Sequence, residues 1–364
     1  MSEKVSYADK NFDVSAKINK DGLSFYDVKD EPFEIYGLYD AKNQEQFKRM
    51  PDEIGKNVNQ GVAVLYTNTS GGRVRFSTDS NTVALQVVLG DMGLYPHLSL
   101  TGACGFDIYE DFPETQTSRY LYTYIPPFDI NEKRKYEAKV TLPSRKKRYF
   151  TIHFPLYSDV KSVLVGVCED ATLGEGMKYR DVLPVVYYGN SVTQGGCASR
   201  AGNSYPNIIG RRMNVDFVNL GFSGAGKAEE IMTDYLASLD MGVFVCDYDH
   251  NAPNAQYLEA THKKLYEKVR ASHPTLPIIL MSKCDFSYGE ENSIRRRDVI
   301  YETFRYAKSQ GDMNVYFFDG ESVYYGDFAN IAVIDRVHPT DLGFALIADK
   351  LGGVIERALQ NLGI

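Results

Sequence analysis

The 364-residue sequence predicts two folds in tandem. An all-β sandwich or jelly roll over residues 1–175 precedes an α/β domain with a doubly wound parallel sheet over residues 183–364. Three observations predict this. The length exceeds the range usual for one domain. As far as residue 175, short runs of β-branched and aromatic residues follow one another between Gly, Pro, Asn, Asp and Ser, without interleaved helices. From Leu183 the texture changes, and apolar runs of strand length alternate with stretches of helical spacing.

In the first half, residues 61–66, 74–77, 83–89, 119–124 and 149–154 read as strands, and 162–168 as the last one. Only 43–49 shows helical spacing there. Residues 169–182 carry four acidic side chains and two glycines, the composition of a linker. In the second half, strands are expected at 185–188, 215–220, 243–246, 278–281 and 315–318. Helices are expected at 228–239, 255–271, 293–310 and 342–359, and one begins near Pro206-Asn207-Ile208-Ile209.

Composition removes several function classes. The hydrophobic fraction of 43% suffices for real cores, and charged residues make up 24%. A net charge of −8 argues against a nucleic-acid or anionic-polymer partner, which needs a basic face; a neutral or cationic substrate fits better. No run approaches the roughly 18 apolar residues of a membrane helix. Met1 to Lys10 lacks the apolar core of a signal peptide, so the cytoplasm is the expected compartment. The five cysteines (Cys104, Cys168, Cys197, Cys246, Cys284) are scattered, several in apolar runs. They read as small buried hydrophobes in a reducing compartment, not as a disulfide framework or metal clip. There is no Trp, but 27 Tyr and 19 Phe; tyrosine fills β-surfaces and can also stack on sugar rings.

The chemistry gathers where strands of the second half end. Val185-Val186-Tyr187-Tyr188 breaks at Gly189 into Asn190-Ser191, placing Ser191 at the carboxyl end of a buried strand, where α/β folds bind ligands. The next strands end near Gly221 and Asn251, and Asp335 and His338 lie on the loop before the last helix. A serine hydroxyl needs a neutral histidine to take its proton, and a carboxylate to hold that imidazole in the right tautomer. Asp335 and His338, three apart, suit those roles. The backbone N–H groups of Ser191 and Gly221 and the Asn251 side-chain amide could hold the oxyanion.

These residues resemble the four blocks of the SGNH (GDSL-type) hydrolases. Gly189-Asn190-Ser191, Gly221, Asn251 and Asp335/His338 fall in the same order and context. Gly-Asn-Ser-Val-Thr-Gln-Gly-Gly-Cys-Ala-Ser-Arg, Asn-Leu-Gly-Phe-Ser-Gly and Val-His-Pro-Thr-Asp-Leu-Gly-Phe look like one subgroup, in which a β-domain with a Gly-x-Asp-Leu-Tyr signature comes first. Gly105-Phe106-Asp107-Ile108-Tyr109 matches with Ile for Leu. An aspartate usually precedes the nucleophile in the broad family; here Asn190 stands in its place. The resemblance implies a serine esterase for acetylated carbohydrates, with hemicellulose manno- or xylo-oligosaccharides as the expected substrates, needing no cofactor, and with the β-domain helping to form the glycan site. Phe106, Tyr109 and Tyr205 are the candidate substrate contacts.

Other readings stay open. A hydrolase or acyltransferase for longer acyl esters or thioesters fits the same residues. Gly221-Phe222-Ser223-Gly224-Ala225-Gly226-Lys227 fits the G-x-x-x-x-G-K of a P-loop NTPase, but Ala228 replaces the Mg²⁺-binding hydroxyl. Asp247, Asp249 and His250 are too close in sequence to surround one ion, and no metal site is expected.

Overall fold

A computed structural model describes residues 14–286 and 289–363; the stretch Met1 to Lys10, read above for a signal peptide, lies outside them. The first half builds two antiparallel sheets from strands β1 (Leu23–Asp27), β2 (Glu34–Tyr36), β3 (Arg73–Thr78), β4 (Thr82–Met92), β5 (Phe106–Phe112), β6 (Thr117–Tyr124), β7 (Lys135–Thr141), β8 (Arg148–His153), β9 (Ser158–Cys168) and β10 (Leu173–Glu175). One sheet has the order β1-β9-β4-β7. The other runs β10-β3-β8-β5-β6, with β2 also on β3. Strand alternation sends Val83, Leu85 and Val87 of β4 inward, where they share a core with Val74 and Phe76 of β3.

Three local expectations change. Residues 61–66 are not a strand, because Gln60–Leu65 is helical. The Asn59 side chain accepts from the Val62 N–H, and this cap outweighs the β-propensity of two valines. The helical spacing at 43–49 forms no helix; Phe47 is instead a buried anchor in an irregular segment. The stretch after β9 is not all linker, since Leu173–Glu175 pairs antiparallel with β3 and so makes β10 the last strand.

The second half is a five-stranded parallel sheet in the order β12-β11-β13-β14-β15. Its strands are β11 (Val185–Gly189), β12 (Phe217–Gly221), β13 (Val243–Asp247), β14 (Ile278–Met281) and β15 (Val315–Phe318). The helices are α1 (Ser191–Gln194), α2 (Tyr205–Met213), α3 (Glu230–Ala237), α4 (Ala255–Ser272), α5 (Glu290–Ser309) and α6 (Asp341–Gln360). Both faces of β11 are buried, which explains its unbroken apolar run. Val185 and Tyr187 pack with Ile209, Phe344 and Leu351, in a core continuous with that of the antiparallel sheets. Val186 and Tyr188 pack with Leu236, Leu258 and Ile300 on the other face. Strand order reverses at β11, and the crevice beyond its carboxyl end is the expected ligand position. There, Gly189 is in register with Gly221 on one side and Asp247 on the other. Among the described residues, no helix is long and apolar enough to cross a membrane.

Candidate active site

The turn from β11 into α1 is built by close packing. A Cβ on Gly189 would lie 2.0 Å from Thr193 Oγ1 and 2.7 Å from the Asp247 carbonyl oxygen, so only glycine fits. Asn190 caps the helix: its Oδ1 accepts from the N–H groups of Val192 (2.7 Å) and Thr193 (3.4 Å). Its Nδ2 donates to the Asp247 carbonyl at 2.6 Å, a bond that an ionised aspartate could not make. Thr193 Oγ1 and Tyr205 Oη both donate to Asp247 Oδ2, at 2.8 and 3.0 Å. Burial, then the neighbouring Asp249 charge, pushes the Asp247 carboxyl up to about 7. Ser191 is the first residue of α1 and 8% exposed. Its backbone N–H has no acceptor among the described residues, as expected at a helix start.

The loop before α6 delivers the histidine. The Ile334 N–H donates to the His338 carbonyl at 2.9 Å and Thr340 caps α6, fixing the loop at both ends. Asp335 Oδ1 accepts from the N–H groups of Val337 (3.1 Å) and His338 (2.8 Å). Asp335 Oδ2 lies 2.6 Å from His338 Nδ1, and His338 Nε2 lies 2.8 Å from Ser191 Oγ. A carboxylate only accepts, so the imidazole proton sits on Nδ1 and Nε2 faces the hydroxyl as acceptor. Burial opposes ionisation of Asp335, but the His338 N–H, its ring and the Val337 N–H outweigh it and hold the carboxyl below its usual range. Ser191, Asp335 and His338, the outermost two separated by 147 positions of sequence, thus form one hydrogen-bonded chain.

One of the three expected oxyanion donors is already engaged. The Gly221 N–H donates to Asn219 Oδ1 at 2.9 Å and is not free for a ligand. The glycine is required because a Cβ there would lie 2.4 Å from the Gln194 nitrogen. Gly224 is three residues further along the same turn. Its N–H has no acceptor among the described residues, its φ is +68°, and nothing lies within 4 Å of where a Cβ would stand. Asn251 Nδ2 donates to the Phe222 carbonyl at 2.8 Å, leaving its second N–H, and lies 3.5 Å from the Cβ position of Gly226 beside Gly189. The G-x-x-x-x-G-K spacing does not form a phosphate cradle. The N–H groups of Ala225 and Gly226 both go to the Phe222 carbonyl, and α3 begins only at Glu230.

The candidate substrate contacts are also corrected. Phe106 and Tyr205 are fully buried, the first against Phe154 and the second with its hydroxyl on Asp247. Tyr109, 3% exposed, accepts from Arg200 at 2.6 Å. Its neighbour Asp107 accepts from the Gly202 N–H (2.9 Å) and Arg200 (3.2 Å), so the Gly-x-Asp-Ile-Tyr stretch locks the loop that follows α1. Aromatic preference marked these rings, but the protein's interior claimed them: Phe106 by apolar packing, Tyr109 and Tyr205 also through their hydroxyls. Asp247, Asp249 and His250 do not converge on one point: Asp249 accepts from the Lys283 N–H and His250 pairs with Asp285.

Sequence reasoning missed three residues that reach the site from elsewhere. Tyr157 donates to the Ser191 carbonyl at 3.4 Å. His97, on the loop after β4, has Nε2 3.7 Å from Asp335 Oδ2. Cys197, buried, with φ of +73°, brings its sulfur into the same cluster, where burial and then the Asp335 charge push the thiol up to about 12. No periodicity or spacing links positions 97 and 197 to 335, so only the fold reveals this group.

Residues 183–356 match the model of the GDSL-like Lipase/Acylhydrolase family, and residues 23–173 match that of the N-terminus of Esterase_SGNH_hydro-type, named GxDLY. Among curated proteins none matches the chain. Among solved structures, one from Bacteroides ovatus, named for its likeness to GDSL lipases, is 24% identical over 93% of this chain and 98% of its own, with a TM-score of 0.82. The salicylyl-acyltransferase SsfX3 of a tetracycline biosynthetic pathway is 17% identical over 94% of this chain and 98% of its own, with a TM-score of 0.72. A family two carbohydrate esterase of Clostridium thermocellum, in complex with cellohexaose, is 14% identical over 80% of this chain and 93% of its own, with a TM-score of 0.57. At these identities the likeness establishes the fold. With both family models matched in order, residues 183–356 belong to the GDSL-like lipase/acylhydrolase family, and residues 23–173 before them are the GxDLY-type N-terminus of SGNH-type esterases.

Proposed function

We propose that this protein is a serine esterase that removes O-acetyl groups from carbohydrates, with hemicellulose manno- or xylo-oligosaccharides as its substrates and the cytoplasm as its compartment. The observation that carries the reading is the continuous chain Asp335–His338–Ser191, with contacts of 2.6 and 2.8 Å. In the proposed reaction His338 Nε2 takes the Ser191 proton as Oγ attacks the acetyl carbonyl, and Asp335 holds the imidazolium that forms. The N–H groups of Ser191 and Gly224 and the second Asn251 amide N–H face the oxyanion. His338 then protonates the departing sugar hydroxyl, and a water activated by the same imidazole releases acetate.

One feature of the structure supports a sugar substrate. Tyr95, half-exposed beside His97, offers an aromatic face at the rim. The likeness to the cellohexaose-bound esterase points the same way. The chain's five cysteines are free, as the proposed compartment requires. A second reading, transfer or hydrolysis of a larger acyl group, is favoured by the likeness to the salicylyl-acyltransferase.

Hydrolysis of aryl esters from acetyl to octanoyl separates the two readings, and mass spectrometry of acetyl loss from acetylated manno- and xylo-oligosaccharides identifies the substrate. Ser191→Ala should lower acetate release at least about 10⁴-fold while leaving thermal unfolding unchanged. Retention of a tenth of wild-type turnover would remove Ser191 from the nucleophile's role.

A further inference from the structure

Four metal-ligating side chains meet at the mouth of the site. His97 comes from the loop after β4, Cys197 from the loop after α1, and Asp335 and His338 from the loop before α6. One ligand atom of each lies within 4.8 Å of all the others. A tetrahedral ion with bonds of about 2.0–2.3 Å needs donors roughly 3.3–3.8 Å apart. The 3.7 Å between His97 Nε2 and Asp335 Oδ2 already meets that spacing. The 2.6 Å between Asp335 Oδ2 and His338 Nδ1 must open to it while the wider pairs close. His97 and Asp335 are partly solvent-exposed, so these adjustments fall on side chains with room to move. One thiolate, two imidazoles and a carboxylate form the donor set that zinc-class ions prefer. Two anionic ligands also leave a dication electrically balanced, which matters for a site with one wall buried. Cys197 holds a left-handed backbone conformation that costs a non-glycine residue on the order of 1 kcal/mol or more, as is common at functional positions.

We propose that His97, Cys197, Asp335 and His338 form an inhibitory site for a zinc-class divalent ion, laid over the esterase's own histidine and aspartate. Binding releases the Cys197 thiol proton to solvent and forms a sulfur–metal bond. His338 joins through Nδ1, the nitrogen turned toward Asp335. Its proton then moves from Nδ1 to Nε2, and Nε2 can no longer accept from Ser191. Asp335 is drawn to the metal at the same time, so the imidazole loses its orienting partner. The ion therefore switches hydrolysis off without entering the chemistry, and its removal restores the triad. Inhibition rests on the proposed esterase mechanism; metal binding does not.

The test uses the full-length protein and Co²⁺ alone as a spectroscopic probe, with Zn²⁺ as inhibitor. Wild type and Ser191→Ala should both develop a thiolate-to-cobalt charge-transfer band and visible bands of tetrahedral intensity, and Cys197→Ser should lose the charge-transfer band. Zn²⁺ should abolish aryl acetate hydrolysis, and a chelator should restore it. His97→Ala should hydrolyse the ester at close to the wild-type rate yet need at least about tenfold more Zn²⁺ for half-inhibition. Absence of the charge-transfer band in wild type, or equal zinc sensitivity in wild type and His97→Ala, would overturn the proposal. Should Ser191→Ala keep its esterase activity, the mechanism fails while the cobalt spectrum still decides the metal site.

Discussion

Ser191 has an ordinary hydroxyl; in the proposed reaction its chemistry depends on three residues that each supply one property. His338 Nε2 at 2.8 Å supplies a proton acceptor, and Asp335 at 2.6 Å fixes which ring nitrogen carries the proton. Asn251 supplies a side-chain amide, with one N–H spent on the Phe222 carbonyl and the other available for the oxyanion. Asn251→Ala should therefore lower kcat on the order of 10²–10³-fold with little change in KM. Steady-state kinetics on an aryl acetate check this, and a loss confined to KM would show that the amide binds substrate instead. Asn190 shows how one substitution can preserve a role. Its amide oxygen still caps the helix, and its nitrogen adds a bond to Asp247 that keeps β11 and β13 together at the site.

At the scale of elements, the nucleophile turn is secured by Asp247 at the end of β13, which receives the hydroxyls of Thr193 in α1 and Tyr205 in α2. Its carboxyl is fully buried and its pKa is raised from the ordinary 3.8 to about 7. A carboxyl with a raised folded pKa binds its proton more tightly in the folded state than in the unfolded chain. Its stabilising contribution is full below about pH 4 and is lost as pH rises through 7. Asp247→Asn removes that titration. The stability of wild type relative to the variant should fall steadily between pH 4 and 8, a difference in which groups common to both proteins cancel. Paired thermal melts across that range test it, and parallel curves would show that Asp247 does not titrate there. The Asn59 cap is a second case in which an element is decided by one polar side chain. It turned a valine-rich stretch, legible as a strand, into the helix Gln60–Leu65.

Across the whole molecule, the β-rich half forms part of the floor of the site. Arg49, fully buried, donates to the carbonyls of Asn219 (3.1 Å), Gly221 (2.6 Å) and Leu65 (2.6 Å), tying the end of β12 to the first half. Burial lowers its pKa to about 9, so it remains charged at neutral pH. Ser70 Oγ donates to the Gln194 carbonyl at 2.6 Å, bracing α1 from below. Arg49→Ala would strand three buried carbonyls and leave a cavity, costing about 3–5 kcal/mol. Denaturant unfolding should show one earlier transition. A change below about 0.5 kcal/mol would mean that the two halves hold together without it.

The sequence by itself determined the fold class, the family, and the identities of Ser191, Asp335, His338 and Asn251 as the groups worth bringing together. Both faces of a parallel sheet must be apolar, strand ends must turn, and few side chains can pass a proton; all three constraints are visible in residue type and order. It could not choose between Gly221 and Gly224, which lie three apart on one turn, because the choice depends on which N–H is already bonded to Asn219. Nor could it tell that Phe106 and Tyr205 are buried, since an aromatic ring suits a core and a sugar platform equally well. Cys197 and His97 became neighbours of Asp335 only through folding: contacts between loops a hundred or more residues apart are set by how sheets stack, and no local pattern encodes that distance.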